Sequence, residues 1–457
     1  MECRKDDVVL YELMPCDGPA NGAHREVMSA MTDMAQKAIG GLAAGSERTR
    51  GSQRVSWLDV TAVYMLIFVS GTLRFNAAQQ EFLLLALAFS SFLLLWKTKR
   101  VSPRFIIYLL GFFAGLGTIS LYTDGSLELS SVFSTTIKLF VAYAVLAFLR
   151  ERFVDVFLRV ILFLALVSLL GYVVDKYSLF DSVVRALPPV AGGLAYEGFL
   201  YSFRYDVQIG RNSSIFYEPG AFQLYLNAAL FIILFAKCHW PIKQRFKYVA
   251  VFLAAIITTF STAAFLMTGL IIVAALFKRR LFTARQKGAI LLSVLVVVLV
   301  FGAQFHEAVI VKLDDYMRVE SLTDKSNQRS QDVLVDLEIV KHNVLGVGYL
   351  EYYKMFSVLA QVPEEHAGSS NGITRLCAVY GLPFSLLLLA SYARFFVKFF
   401  GISSVALVGI ILLLMLFWSQ SYFLFAPICL TLIAAQFVWS RPLPGTTPVA
   451  QVRGYGL

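Results

Sequence analysis

The sequence predicts an all-α polytopic integral membrane protein with about twelve transmembrane helices and two large external loops, the second partly helical. Three observations predict it. Of 457 residues, 58% are hydrophobic and 15% charged, with a mean hydropathy of +0.68, whereas a soluble globular chain carries roughly 25% charged residues. The apolar residues come in runs near the roughly 20 that a spanning helix needs. The basic residues sit in short segments between those runs, as KTKR at 97–100, RER at 150–152, KQRFK at 243–247 and KRR at 278–280. That is the positive-inside pattern, so the net charge of +10 reports topology and does not point to nucleic acid.

Taken in order, residues 1–52 are mixed and polar, with no apolar core long enough for a signal peptide. They are expected to form a cytoplasmic, disordered extension, although 27–44 are weakly amphipathic. Residues 53–440 form the membrane domain, and 441–457 a cytoplasmic tail. Five runs, Trp57–Phe75, Phe82–Trp96, Phe105–Tyr122, Val132–Phe148 and Val154–Val174, alternate across the bilayer and leave residues 175–217 outside. Gly220–Ala236 returns to the basic loop CHWPIKQRFK. The stretch Tyr248–Phe277 is flanked by basic loops at both ends, so it is read as a hairpin of two short spans meeting at TTFST. Its hydroxyl-rich apex then needs a protein-lined or water-filled recess. The alternative is one long tilted helix whose Thr and Ser bond back to its own carbonyls. Ala289–Phe305, Ile373–Tyr392, Ser403–Trp418 and Tyr422–Trp439 complete the set, with a second external loop at 306–372. In that loop, Lys325–Val340 reads as a short amphipathic helix, and Gly346 and Gly348 as a tight turn.

The chemistry gathers in the two external loops. RNSSIFYEPG at 211–220 places Arg211 and Glu218 at the mouth of an apolar helix, where charge is costly unless it binds something. Pro219 suits the first helical position. A carboxylate beside a helix N-terminus is favoured electrostatically, so Glu218 is either a helix-start carboxylate or a base near the arginines. Arg204, Arg211, Lys312, Arg318, Lys325, Arg329, Lys341 and Arg375 lie on the side where few basic residues are expected. A phosphate or pyrophosphate ligand explains such an excess, because arginine binds phosphate through a planar fork. Many can instead pair with Asp314, Asp315, Asp332, Asp336 or Glu338; Arg211 and Arg329 stand apart from alternating charge. His366, in PEEHAGSSNG, is a candidate proton acceptor. The five cysteines have no paired spacing, HxxxH and HExxH are absent, and Asp314-Asp315 is a weak metal signal. No metal or other cofactor is therefore predicted.

With those residues in place, the chain resembles the bacterial polysaccharide polymerase (Wzy) and O-antigen ligase group of membrane glycosyltransferases. Four features occur in that group's order. They are Arg211 to Gly220 leading a helix, the hydroxyl-rich break TTFSTAAF at 258–265, Arg329 with Asn343–Tyr349, and SSNGITRLCAVYGLPFSLLLL at 369–389, with Asn371 and Tyr380-Gly381 matching. The likeness spans roughly 105–440. Ligases of the group carry His before that Asn, where this chain has Ser370, and the nearest histidine is His366.

The resemblance implies a metal-independent, inverting glycosyl transfer at the outer face of a bacterial inner membrane. The donor would be a growing glycan on undecaprenyl pyrophosphate and the acceptor a lipid-linked repeat unit. Glu218 and His366 become the candidate catalytic residues. Arg211, Arg329, Arg204, Tyr217, Asn371 and Ser261 become substrate-binding residues. Membrane lipids, a chain-length regulator and a flippase are the partners that go with it. The rivals are an O-antigen ligase, which differs in acceptor, and a flippase or exporter. The latter should carry charges along a path through the bilayer, where this chain has Lys138 alone.

Overall fold

The computed structural model divides the chain into two units, Met1–Arg54 and Val55–Leu457. Residues 55–73, 80–98, 101–124, 129–178, 210–236, 242–278, 328–364 and 367–439 are described, with Trp240 and parts of 184–204 and 284–288. The extension 1–52, the run Ala289–Phe305, His366 and the tail 441–457 lie outside the described residues.

Helix α1 (Trp57–Phe68) starts at Ser56 through a reciprocal cap. The Ser56 hydroxyl accepts from Asp59 N–H, and the Asp59 carboxylate accepts from Ser56 N–H. Asp59 Oδ2 also pairs with Arg152 Nη1 at 2.9 Å, which fastens the start of α1 to the start of α5. Helices α2 (Gln80–Thr98), α3 (Pro103–Asp124), α4 (Leu129–Leu149) and α5 (Arg152–Lys176) follow. Five helices are long and apolar enough to cross a membrane among the described residues: Pro103–Tyr122, Ser131–Leu149, Arg152–Lys176, Gly372–Phe400 and Ser421–Val438. Five shorter ones are apolar throughout: Trp57–Phe68, Phe82–Thr98, Pro219–Phe235, Thr262–Phe277 and Ser404–Ser419.

Between α5 and α6 the all-α expectation needs amending. Strands β1 (Pro189–Val190), β2 (Ala195–Gly198) and β3 (Tyr201–Arg204) form an antiparallel sheet in that order. The sheet seats on α5 because Gly171 leaves room for the Tyr201 ring: a Cβ there would lie 2.4 Å from it. The sheet was not visible in advance, since two- to four-residue strands are too short to show a period of two.

Helix α6 (Pro219–Phe235) is buried along most of its length, so it is the axis about which its neighbours pack. Helix α7 (Ile242–Thr258) ends where Thr258 O accepts from Asn212 N–H at 2.9 Å, near the start of α6. Helix α8 (Thr262–Phe277) then runs alongside α6, with Thr268 bonded to Asn227 and Lys278 over the Phe235 ring at the far end. The chain thus goes out and returns, as the hairpin reading expects. Thr258 and Thr259 do bond back to Ala255 O and Ile256 O, as the single-helix alternative had it, yet the helix still breaks after Thr258.

Helices α9 (Gln328–His342) and α10 (Tyr349–Ala360) form the helical part of the second loop. With the turn between them, which supplies Val347, they bury Val335, Ile339, Tyr352 and Phe356 against Ala378 and Val379 of α11 (Gly372–Phe400). Helix α12 (Ser404–Ser419), a 3₁₀ turn (Ser421–Phe425) and α13 (Pro427–Val438) complete the domain.

Helix α11 is broken at Gly381, with φ 82° and ψ 159°. Pro383 two residues later lacks an N–H, so the turn before it is short of donors. The loop after α9 makes good the deficit. Val347 N–H donates to Ala378 O at 3.0 Å, Gly348 N–H to Val379 O at 3.0 Å, and Leu382 N–H to Val344 O at 2.9 Å. Backbone approaches this closely only because Gly346 and Gly381 face each other: a Cβ on Gly346 would lie 2.5 Å from Gly381 N.

Candidate functional site

The segment Arg211–Gly220 is a buried knot. Asn212 is fully buried, and its Nδ2 donates to Ser168 Oγ at 3.1 Å and Thr258 Oγ1 at 2.9 Å, while its Oδ1 accepts from Ser214 N–H at 3.0 Å. One carboxamide therefore joins α5, the hairpin and its own loop. Ser214 O accepts from Ser202 N–H, which ties in the sheet, and Tyr217 N–H donates to Gly71 O. Arg211 turns inward. Its Nε donates to Thr259 O at 3.2 Å and its Nη2 to Phe260 O at 3.1 Å. A cation there complements the carbonyl end of α7. It also holds Phe260 at φ 45°, a left-handed conformation that is uncommon for a bulky residue.

Glu218 is the N-cap of α6, with Pro219 at the first helical position, but its side chain makes no capping bond. Its Oε1 instead accepts from Tyr422 Oη at 3.3 Å. Of the two roles open to Glu218, the carboxylate is thus turned out of the capping position and toward the α12–α13 connection. Gly220 sits under Gln420: a Cβ there would lie 2.5 Å from Gln420 Nε2 and 3.7 Å from Glu218 Cδ.

The other side of the same connection meets the start of α11. Asn371 caps that helix through Oδ1, accepting from Ile373 N–H at 3.0 Å and Thr374 N–H at 3.1 Å. A Cβ on Gly372 would lie 2.6 Å from Phe417 O and 2.9 Å from Ser421 Cα. The two glycines thus let the starts of α6 and α11 close on one short segment, Gln420–Tyr422, although they are far apart in the chain.

Outside this contact, α9 docks on α11 through two carboxylates. Asp332 Oδ2 accepts from Ser370 N–H and Ser370 Oγ, both at 2.8 Å. Asp336 accepts from Tyr352 Oη at 2.8 Å and Thr374 Oγ1 at 2.6 Å. Burial pushes the Asp336 carboxyl up to about 6, against the hydrogen bonds that pull it down. Burial raises Asp332 too, opposed by its bonds to Ser370 and by the charges of Arg329 and Arg375. Arg375 lies 5.7 Å from the Tyr352 ring centre and 5.4 Å from that of Tyr353, and donates to Tyr353 Oη at 2.5 Å.

Of the residues singled out from sequence, Glu218 and Asn371 are brought onto one segment, and Arg211 and Ser261 meet at the hairpin apex. Ser261 is the buried N-cap of α8. Tyr217 is exposed beside Glu218. Arg329 lies exposed in the first turn of α9, beside Asp332. Arg204 closes β3 opposite Ala195, and His366 is outside the described residues. Sequence reasoning passed over Asn212, Gln223 and Gln420. Their one signal was a carboxamide inside or at the end of an apolar run, as in LFWSQSYF.

No family model matches the chain, and no curated protein matches it.

Proposed function

We propose that the chain is a polymerase of lipid-linked oligosaccharide repeat units, moving a growing glycan from undecaprenyl pyrophosphate onto a new lipid-linked repeat. In this reading the domain has twelve spans, lies in a bacterial inner membrane, and carries both long loops on the outer face. The observation that carries it is the closing of Glu218–Gly220 and Asn371–Gly372 onto Gln420–Tyr422. A carboxylate, two helix starts and the Arg211 apex lie at one end of an apolar bundle, which suits a lipid-borne anionic substrate. Beginning at Leu224 and Tyr225, one turn further along α6, an apolar cavity of about 170 Å³ extends toward Phe400 and Trp439. It suits part of an isoprenoid or acyl tail hanging from a head group held at Glu218.

In the reaction, the acceptor hydroxyl oxygen attacks the anomeric carbon of the donor sugar. The bond from that carbon to the pyrophosphate oxygen breaks, and its electron pair leaves with the pyrophosphate. Glu218 takes the hydroxyl proton. Arg211 and Arg329 offset the charge growing on the leaving group.

Ser370, fixed by Asp332 where a ligase would carry His, favours polymerase over ligase. Two experiments test the reading. Purified protein incubated with synthetic lipid-linked repeats should give a ladder of lengthening chains, and no ladder with any repeat defeats the proposal. Deleting the gene should leave single repeats on their final carrier, whereas long chains stranded on undecaprenyl pyrophosphate would make the protein a ligase.

A further inference from the structure

Three carboxamides at the convergence point have unused hydrogen-bonding capacity. Gln420 is 8% exposed, and its side chain makes no hydrogen bond to any described residue, though it lies against Gly220 and near Glu218. Gln223 is fully buried. Its Oε1 accepts from Asn227 Nδ2 at 2.8 Å, but its Nε2 has no partner among the described residues. Asn371 is 2% exposed, and with Oδ1 spent on the α11 cap its Nδ2 is likewise without one. Gln223 is three residues beyond Gly220 on α6, hence on the helix face that Gln420 overlies. Asn371 adjoins Gly372, whose backbone presses on Ser421.

A buried amide with an unmade hydrogen bond is costly, as at Gln223 and Asn371, and each calls for a partner; Gln420, 8% exposed, lies between solvent and the start of α6. Such groups are kept where something arrives to bind them. The ligand must offer acceptors to three N–H₂ groups and a donor to Gln420 Oε1. Phosphate offers no donor when ionised and is better met by arginine. Sugar hydroxyls offer both at short spacing.

We propose that Gln420, with Gln223 and Asn371, forms a carbohydrate subsite between the starts of α6 and α11. It takes adjacent hydroxyls, or an acetamido group, of one sugar of the repeat and sets that sugar beside Glu218. The ligand class rests on the glycosyl-transfer reading above; the assignment to Gln420 and Gln223 goes beyond it.

The test uses the full chain in lipid nanodiscs and, as probes, the methyl glycosides of glucose, galactose, rhamnose, N-acetylglucosamine and N-acetylgalactosamine. Saturation-transfer NMR reads binding, and thermal unfolding is followed in parallel. At least one glycoside should bind, and Gln420→Met should weaken it about tenfold. The same substitution should leave Tm unchanged or raise it, because methionine fills the space without a polar group to satisfy. Gln223→Met should behave alike, which keeps the test open if one variant expresses poorly. The subsite is overturned if no glycoside binds, if Gln420→Met binds as the unaltered protein does, or if that variant unfolds at clearly lower temperature. Polymer made by Gln420→Met with an unchanged acceptor KM sinks the subsite and leaves the polymerase. A glycoside bound through Gln420 without any ladder supports the subsite and sinks the polymerase.

Discussion

Two places in the membrane domain interrupt a helix, and they are held in different ways. At the hairpin apex, residues 259–261, distant side chains do much of the holding. Arg211 takes two carbonyls and Asn212 takes the Thr258 hydroxyl. At the α11 break, main chain closes on main chain, with Val344, Val347 and Gly348 bonded to Leu382, Ala378 and Val379. Both give the non-helical backbone partners within the protein, which is what such backbone would need at membrane depth. The apex depends on side chains being present and on one positive charge. The clasp depends on side chains being absent at Gly346 and Gly381. An arrangement built on charge can respond to an anionic ligand, and one built on packed backbone is a fixed hinge point for the loop helices.

The clasp should be the easier to destroy. In Gly346→Ala the new Cβ meets Gly381 N at 2.5 Å and Val379 O at 2.6 Å, with φ at +89°. Rigid backbone cannot give way, so a loss of more than about 3 kcal/mol is expected, read by thermal unfolding in detergent. A variant that unfolds like the parent would show that the backbone contact is not close. At the apex, Asn212→Leu strands the Ser214 N–H and takes away the donor that joins the Ser168 and Thr258 hydroxyl oxygens, which keep only their own bonds to Ala165 O and Ala255 O. That should cost about 3 kcal/mol, measured the same way, and an unchanged Tm would remove Asn212 from its role.

The loop helices add a pH-dependent joint to the clasp. The folded pKa of Asp336, about 6, lies above its unfolded value of 3.8. The docked state therefore holds the proton more tightly. Docking is strongest below pH 4, weakens as pH rises through 4–6, and is about 3 kcal/mol weaker at neutral pH. Asp336→Asn keeps an acceptor for Tyr352 and stays neutral, so it should tighten docking by a similar amount at pH 7 and flatten the dependence. Hydrogen exchange over 328–360 at pH 5 and 7.5, corrected for intrinsic rates, checks it. Equal protection of the parent at both would refute the assignment.

The smallest change in stability is expected from Arg211→Lys. An ammonium still reaches one carbonyl of the apex but not two in a fixed plane, for a loss of about 1 kcal/mol. Its effect on polymer should be far larger if the guanidinium also meets pyrophosphate. Full-length polymer from Arg211→Lys at normal expression would leave Arg211 as a clamp on the apex and nothing more.

Local pattern was enough for much of this architecture. Run length gave the apolar helices, charge at both flanks pointed to a chain reversal within Tyr248–Phe277, where the helix breaks after Thr258, and Pro219 gave the start of α6. Arg211 and Glu218 stood out because a charge at the end of an apolar run is conspicuous within a few residues of sequence, and Asn371 was singled out through the resemblance alone. Packing alone decided what those groups touch. That Arg211 faces the apex carbonyls, that Glu218 leaves its capping position for Tyr422, and that Gln420 lies on Gly220 all depend on helices distant in the chain. The α11 break shows the same division. Gly381 and Pro383 mark a weak point that can be read locally, but the donors that repair it come from residues 347 and 348. Secondary structure in a membrane follows from the cost of exposing backbone to lipid, which each segment settles for itself. The partner of a lone polar group is settled by whichever element packs against it.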